Sequence, residues 1–81
     1  MKYRCTADTD LDDLIGRDVK DSFEYGPLAV AMKSGEHLEL ENSAALSAVM
    51  IAKLQAFRYG LFIVETEEAL QAGPNFQLFL H

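Results

Sequence analysis

Tryptophan is absent from this chain of 81 residues, cysteine occurs once, and proline only twice. With one thiol, Cys5, no internal disulfide forms, so the fold must rest on packing, and a reducing cytoplasm is the expected setting. No apolar run approaches the ~20 residues that span a bilayer, and the first ten residues, MKYRCTADTD, contain no apolar stretch of the kind that opens a secretory leader. Basic residues are few. Seven Lys and Arg stand against thirteen Asp and Glu, giving a net charge of −6. No segment is basic, so binding to nucleic acid through phosphate neutralisation is not expected, and neither is a membrane surface. The two histidines, His37 and His81, lack a spaced Cys/His partner set, which argues against a zinc site. Internal repeats and low-complexity tracts are missing as well.

What is present suits a globule. Hydrophobic residues make up 49% and charged residues 25%. Residues 1–81 are expected to form a single domain with one modest core, since a chain this short buries roughly 60–65% of its unfolded surface.

Residues 2–6 alternate with Tyr3 and Cys5 on one side, a short strand. Asp10 is placed to cap a helical turn through Leu11, Leu14 and Ile15, which Gly16 ends. Residues 17–25 carry no clear period and read as irregular. Gly26 at the cap, Pro27 at the first helical position and Gly35 as a left-handed stop delimit a second helix. That helix is apolar on most sides, as expected of one buried by more than one neighbour. Residues 37–40 form a strand with Leu38 and Leu40 on one face.

Asn42 or Ser43 is expected to cap the longest helix, residues 44–58. Its apolar stripe is Leu46, Met50, Leu54 and Phe57, widened by Val49, and Gly60 ends it. Residues 61–64 are a strand. Residues 65–72 fit either the far arm of a hairpin or a short helix. A turn at 73–75 leads to a last strand over 76–80, in which Phe76, Leu78 and Leu80 alternate with Gln77 and Phe79. Strands alternating with helices at this spacing predict an α/β fold, with a small, largely parallel sheet of three to four strands and two main helices.

Asp8, Asp10 and Asp12 match the start of a calcium loop. Such a loop needs Gly at its sixth position and Glu at its twelfth, and those positions hold Asp13 and Val19. A solvated turn with a helix cap is the simpler reading. Glu39 and Glu41 share a strand face and, with His37, offer a small polar site. Cys5 reads as a buried small hydrophobe. Ser43 and Ser47 have no accompanying His/Asp constellation. Phe57, Tyr59, Phe62, Phe76 and Phe79 have too few basic residues among them for a base-stacking platform and read as core or interface.

Three segments in order resemble the middle of a MoxR-type AAA+ ATPase, closest to the cobaltochelatase-like and nitric-oxide-reductase-activator-like branches. They are DTDLDDLIGR (residues 8–17), FEYGPLAVAMKSGEHLELEN (residues 23–42) and GPNFQLFLH (residues 73–81). In that family a Leu-Ile-Gly-Arg segment follows the second core strand. A Gly-Pro-Leu helix leads into the Walker-B strand, and an Asn-Phe-Arg-Leu-Phe-like strand ends at the sensor-1 residue. The resemblance implies a truncated AAA+ core, with ATP and Mg as the family's cofactors.

The departures are chemical. The phosphate-cradling G-x-x-x-x-G-K-[ST] is missing. Glu41 stands where the magnesium-organising Asp would be, and Asn42 stands where the catalytic Glu would be. An amide cannot take a proton from water. His81 stands where the sensor-1 strand continues toward a Thr or Asn.

No catalytic residue is therefore expected, and no cofactor. The expected function is that of a non-catalytic, AAA+-derived protein acting by contact with a protein partner or by self-association as a homo-oligomer. Tyr25, Pro27 and Phe79 are the interface candidates. The alternative is an accessory subunit or fragment of such an ATPase that holds nucleotide or Mg through Glu41 and Asn42.

Overall fold

The computed structural model describes residues 1–73 and 75–81. Its centre is a three-stranded parallel sheet of β1 (Lys2–Arg4), β4 (Leu38–Glu41) and β7 (Leu78–Leu80), in the order β1-β4-β7. The register sets Tyr3 beside Leu40 on one side, and Leu40 beside Leu80 on the other. The α/β class and the parallel sheet expected from the alternation are both present.

Between β1 and β4 lie α1 (Leu11–Ile15), the antiparallel pair β2 (Gly16–Val19) and β3 (Ser22–Tyr25), and α2 (Pro27–Ser34). Between β4 and β7 lie a 3-10 turn (Ser43–Ala45), α3 (Ala48–Ala56) and a second antiparallel pair, β5 (Gly60–Ile63) and β6 (Glu68–Gln71). The hairpin arm, not the helix, is thus the form taken after residue 65. The turn expected at residues 73–75 falls on Pro74, which lies outside the described residues.

Local chemistry explains the first two helices. The Asp10 carboxylate accepts from the Asp13 amide at 3.1 Å, and the Asp13 carboxylate accepts from the Asp10 amide at 3.0 Å. This reciprocal box satisfies amides that the first turn leaves free. Asp10, one of the aspartates that imitated a calcium loop, is occupied in it. Pro27 opens α2, and Gly35 closes it in the left-handed region at φ 75°. Leu28, Ala29, Ala31 and Met32 are all buried, which spreads the buried surface of α2 over more than one side.

Two expectations need correction. Residues 17–25 are not irregular: they pair as β2–β3 across a two-residue turn, Lys20-Asp21, with Lys20 at φ 56°. Arg17-Asp18-Val19 has no apolar alternation, and Lys20-Asp21 is not one of the glycine-bearing turns that announce a hairpin.

The second correction concerns α3, which starts at Ala48, well after residue 44. Ser47, not Asn42 or Ser43, is its cap, accepting from the Met50 amide at 3.1 Å. Leu46 breaks the run by turning extended (φ −82°, ψ 148°), which sends its side chain into the core. Leu46, Met50 and Leu54 are buried as expected, but Val49 faces solvent, and Gly60 opens β5 instead of ending the helix.

One core gathers Cys5, Leu14, Leu28, Leu38, Leu40, Leu54, Ile63 and their neighbours. Burial of Cys5 raises the pKa of its thiol, which keeps it protonated and unreactive. Among the described residues no helix is long and apolar enough to cross a membrane.

Candidate functional site

Side chains alternate across each strand, so the parallel sheet has two unlike faces. Leu38, Leu40 and Leu78 point into the core. Lys2, Arg4, Glu39, Glu41 and Phe79 line the opposite face. All-parallel sheets are ordinarily covered on both sides. Here one side is turned to solvent, with Lys2 in register with Glu39, Arg4 with Glu41, and Glu39 with Phe79.

His37, Glu39 and Glu41 lie on this face as their spacing implies, and His81 joins them, which the sequence did not disclose. One Glu39 oxygen lies 3.2 Å from His81 Nε2, and the other lies 3.8 Å from His37 Nε2. Phe79 meets His37 edge-on at 5.8 Å and stacks with His81 at 6.3 Å. This arrangement is a carboxylate held between two imidazoles on an aromatic base, all at the surface. It contains no hydroxyl or thiol. Among the described residues, no group of three or more His, Cys, Asp or Glu is placed to hold a metal ion.

At the carboxyl ends of the strands, Asn42 and Ser43 act as a clasp. Asn42 Nδ2 donates to the Cys5 carbonyl at 3.0 Å, just beyond the Cys5 amide's own bond to the Glu41 carbonyl at 2.8 Å. The Ser43 amide and hydroxyl both donate to the His81 carbonyl, at 2.8 and 2.9 Å. The end of β4 is thereby tied to the ends of both neighbours. Asn42 holds the left-handed region (φ 59°, ψ 40°), which Asn tolerates better than most residues. The two residues expected as helix caps are thus used as strand ties, and the Asn42 side-chain amide is committed to a backbone carbonyl. Glu41, beside Arg4, keeps its carboxylate on the open face.

This predicts a graded series. Asn42→Ala loses the side-chain bond and places a Cβ-bearing residue without local compensation at positive φ, a destabilisation of about 2 kcal/mol. Asn42→Gly loses only the bond, about 1 kcal/mol. Equal urea midpoints for wild type and Asn42→Ala would show that the clasp contributes nothing.

The interface candidates occupy different places. Phe79 lies on β7, at the border of the sheet. Pro27 is half-buried at the start of α2, and Tyr25 is half-buried at the end of β3. The Tyr25 hydroxyl donates to Glu68, Lys33 Nζ lies 3.5 Å from the other Glu68 oxygen, and the same ammonium sits 4.0 Å from the centre of the Tyr25 ring. This triad joins β3, α2 and β6.

The Tyr25 hydrogen bond, with help from Lys33, lowers the Glu68 pKa, and Tyr25 followed by Glu68 raises that of Lys33. Asp13 is likewise lowered, first by the Asp10 amide and then by Arg17. A lowered carboxyl pKa stabilises the fold above its unfolded value, and that contribution disappears as pH falls through the folded value. A raised ammonium pKa works the other way, losing its contribution as pH rises. Thermal stability is therefore expected to drop below about pH 4 and again above about pH 10. In Glu68→Gln the acid limb is shallower. Superimposable acid limbs for the two proteins would remove Glu68 from this account.

Beside β7 runs a groove lined by Arg58, Tyr59, Ala72, Phe76, Gln77 and Phe79, with a volume of about 400 Å³. It contains no acidic side chain among the residues that line it, although the chain as a whole is acidic. Tyr59 was legible only as an aromatic destined for core or interface; its place beside β7 comes from the β5–β6 pair. The chain matches no family model and no curated protein.

Proposed function

We propose that this chain is a non-catalytic protein-contact module derived from a MoxR-type AAA+ core, and that it works through the outer edge of β7. The observation that carries the reading is the state of that edge. Leu38 N donates to Gln77 O at 2.8 Å and His81 N to Leu40 O at 3.0 Å, so Gln77, Phe79 and His81 turn their backbone groups toward β4. In a parallel ladder the intervening residues face the other way. The amides and carbonyls of Leu78 and Leu80 therefore point out of the sheet, next to the groove that Tyr59 and Phe79 line.

An edge strand whose outward groups make no bond among the described residues is a template for an added strand. The AAA+ ancestry is supported by the three resembling segments, taken in the order expected of such a core, the second and third of which carry the parallel, adjacent strands β4 and β7. Loss of catalysis is supported by Asn42, an amide that cannot act as a base and is already bonded within the chain. A cytoplasmic setting suits the lone, buried Cys5.

Incorporating the photoreactive residue p-benzoylphenylalanine in place of Phe79 tests the reading. On irradiation in cells producing the protein, position 79 should give discrete covalent protein adducts, and the hairpin-tip position Lys20 should not. No adduct of any mass at position 79 would overturn it.

A further inference from the structure

Resting on the contact-module reading, we infer that the strand added at β7 is β7 of a second copy of this chain. The two strands run antiparallel about a two-fold axis through Phe79. The two borders of the sheet are built differently, and this asymmetry points to β7.

On β1 the Met1 carbonyl accepts from Glu39 at 2.8 Å, and the Cys5 amide donates to Glu41 at 2.8 Å. The outward backbone groups of β1 therefore belong to Lys2 and Arg4, and charged residues of this kind guard an edge against pairing. On β7 the outward groups belong to Leu78 and Leu80, and no charge lies between them.

The spacing of those two residues is self-complementary. Antiparallel pairing about Phe79 sets Leu78 opposite the partner's Leu80 and Leu80 opposite the partner's Leu78. Each pair exchanges both of its outward hydrogen bonds. Phe79 then faces the partner's Phe79 in a non-hydrogen-bonded pair, with Cα atoms about 4.5 Å apart, the closest cross-strand position and one that favours aromatic pairs. Both borders of the resulting six-stranded sheet are the charged β1 strands. A two-fold axis also limits growth to a dimer, where a head-to-tail contact would propagate.

Exposed aromatic area adjoins this edge. Phe79 is 39% exposed and Tyr59, in the adjoining groove, 81%. On β5, which begins beside that groove, Phe62 is 59% exposed. At about 200 Å² per aromatic side chain, the three rings alone leave about 360 Å² open. A stable interface takes about 800 Å² from each partner, a little over half of it apolar. Against association stands the charge of −6 on each copy. Because the groove lining carries no carboxylate, the repulsion acts over distances that salt screens. The dimer should therefore tighten as salt rises, the reverse of an interface held by ion pairs.

Sedimentation equilibrium of the purified full chain, across concentration and salt, is the first test. The expected result is a mass approaching twice 9.0 kDa. Leu80→Pro is the diagnostic variant. It removes an amide that serves no bond inside the sheet, a position where an edge strand accepts proline, and should raise the dimer Kd about 30-fold. Circular dichroism confirms that it folds. Should it not fold, the surface variant Phe79→Lys replaces it, with the same loss of dimer expected. Phe79→Cys should oxidise to a covalent dimer, since the Cα separation lies in the disulfide range, whereas Val64→Cys should not.

A 9.0 kDa monomer at every concentration overturns the inference. So does a dimer indifferent to Leu80→Pro, or one in which Val64→Cys cross-links as well as Phe79→Cys. A monomer whose photoreactive position 79 nevertheless captures a protein of different mass refutes the second copy alone and leaves the contact-module reading standing.

Discussion

Gly16→Ala is expected to destabilise the protein by about 3–5 kcal/mol, a large share of the total for a chain of 81 residues at roughly 0.05–0.15 kcal/mol per residue. The glycine has φ 132°, a region that side chains rarely adopt, and a Cβ there would sit 2.4 Å from the Glu24 carbonyl oxygen and 2.7 Å from the Phe23 ring. Backbone strain of this kind costs about 1–3 kcal/mol, and overpacking costs a similar amount. Relief would require β3 to move away, but Gly16 is in register with Tyr25 and Arg17 with Glu24, so that movement breaks the hairpin. Gly35→Ala provides the contrast. Its φ is 75°, yet nothing lies within 4 Å of the added carbon, so only the conformational cost of about 1 kcal/mol remains. Urea unfolding of the two variants should give midpoints well separated in that order. Equal midpoints would mean that the clash at Gly16 is relieved by an adjustment the fold tolerates.

Leu40→Ala should cost about 3–4 kcal/mol, whereas Glu41→Ala, the next residue, should stay within about 0.5 kcal/mol of wild type. Leu40 is fully buried in the middle strand, between Tyr3 and Leu80, so truncation leaves a cavity that neither neighbour can close without leaving its own pairing. Glu41 points to the opposite face, where water replaces it. Denaturant unfolding of both variants measures the difference between the two sides of the sheet. If Glu41→Ala cost as much as Leu40→Ala, the face described as open would have to be covered in solution, and the contact surface would be that face instead of the β7 edge.

Much of the local structure could be read directly. Asp10, Gly26-Pro27 and Gly35 delimit α1 and α2 because caps and stops depend on backbone groups within a few residues. Leu38 and Leu40 declared a buried strand face through period two alone, and the same period put Glu39 and Glu41 together on the other face. The β2–β3 pair was hidden because Arg17-Asp18-Val19 becomes a strand only by virtue of its partner.

Asn42 and Ser43 show the limit most sharply. Their side chains satisfy a helix start or a strand end equally well. What decided between them was the presence of the Cys5 and His81 carbonyls, from residues thirty-seven and thirty-eight positions away.

By itself the sequence determined the fold class, the two capped helices, the apolar face of β4 and the pairing of Glu39 with Glu41 on its other face. These follow from short-range propensity, periodicity and residue chemistry. Only the tertiary structure decided that Asn42 and Ser43 tie the sheet together, that His81 joins Glu39, and that β7 forms a border whose outward groups belong to Leu78 and Leu80. Which strands neighbour one another, and with what register, is set by packing between distant segments, and no local pattern encodes it.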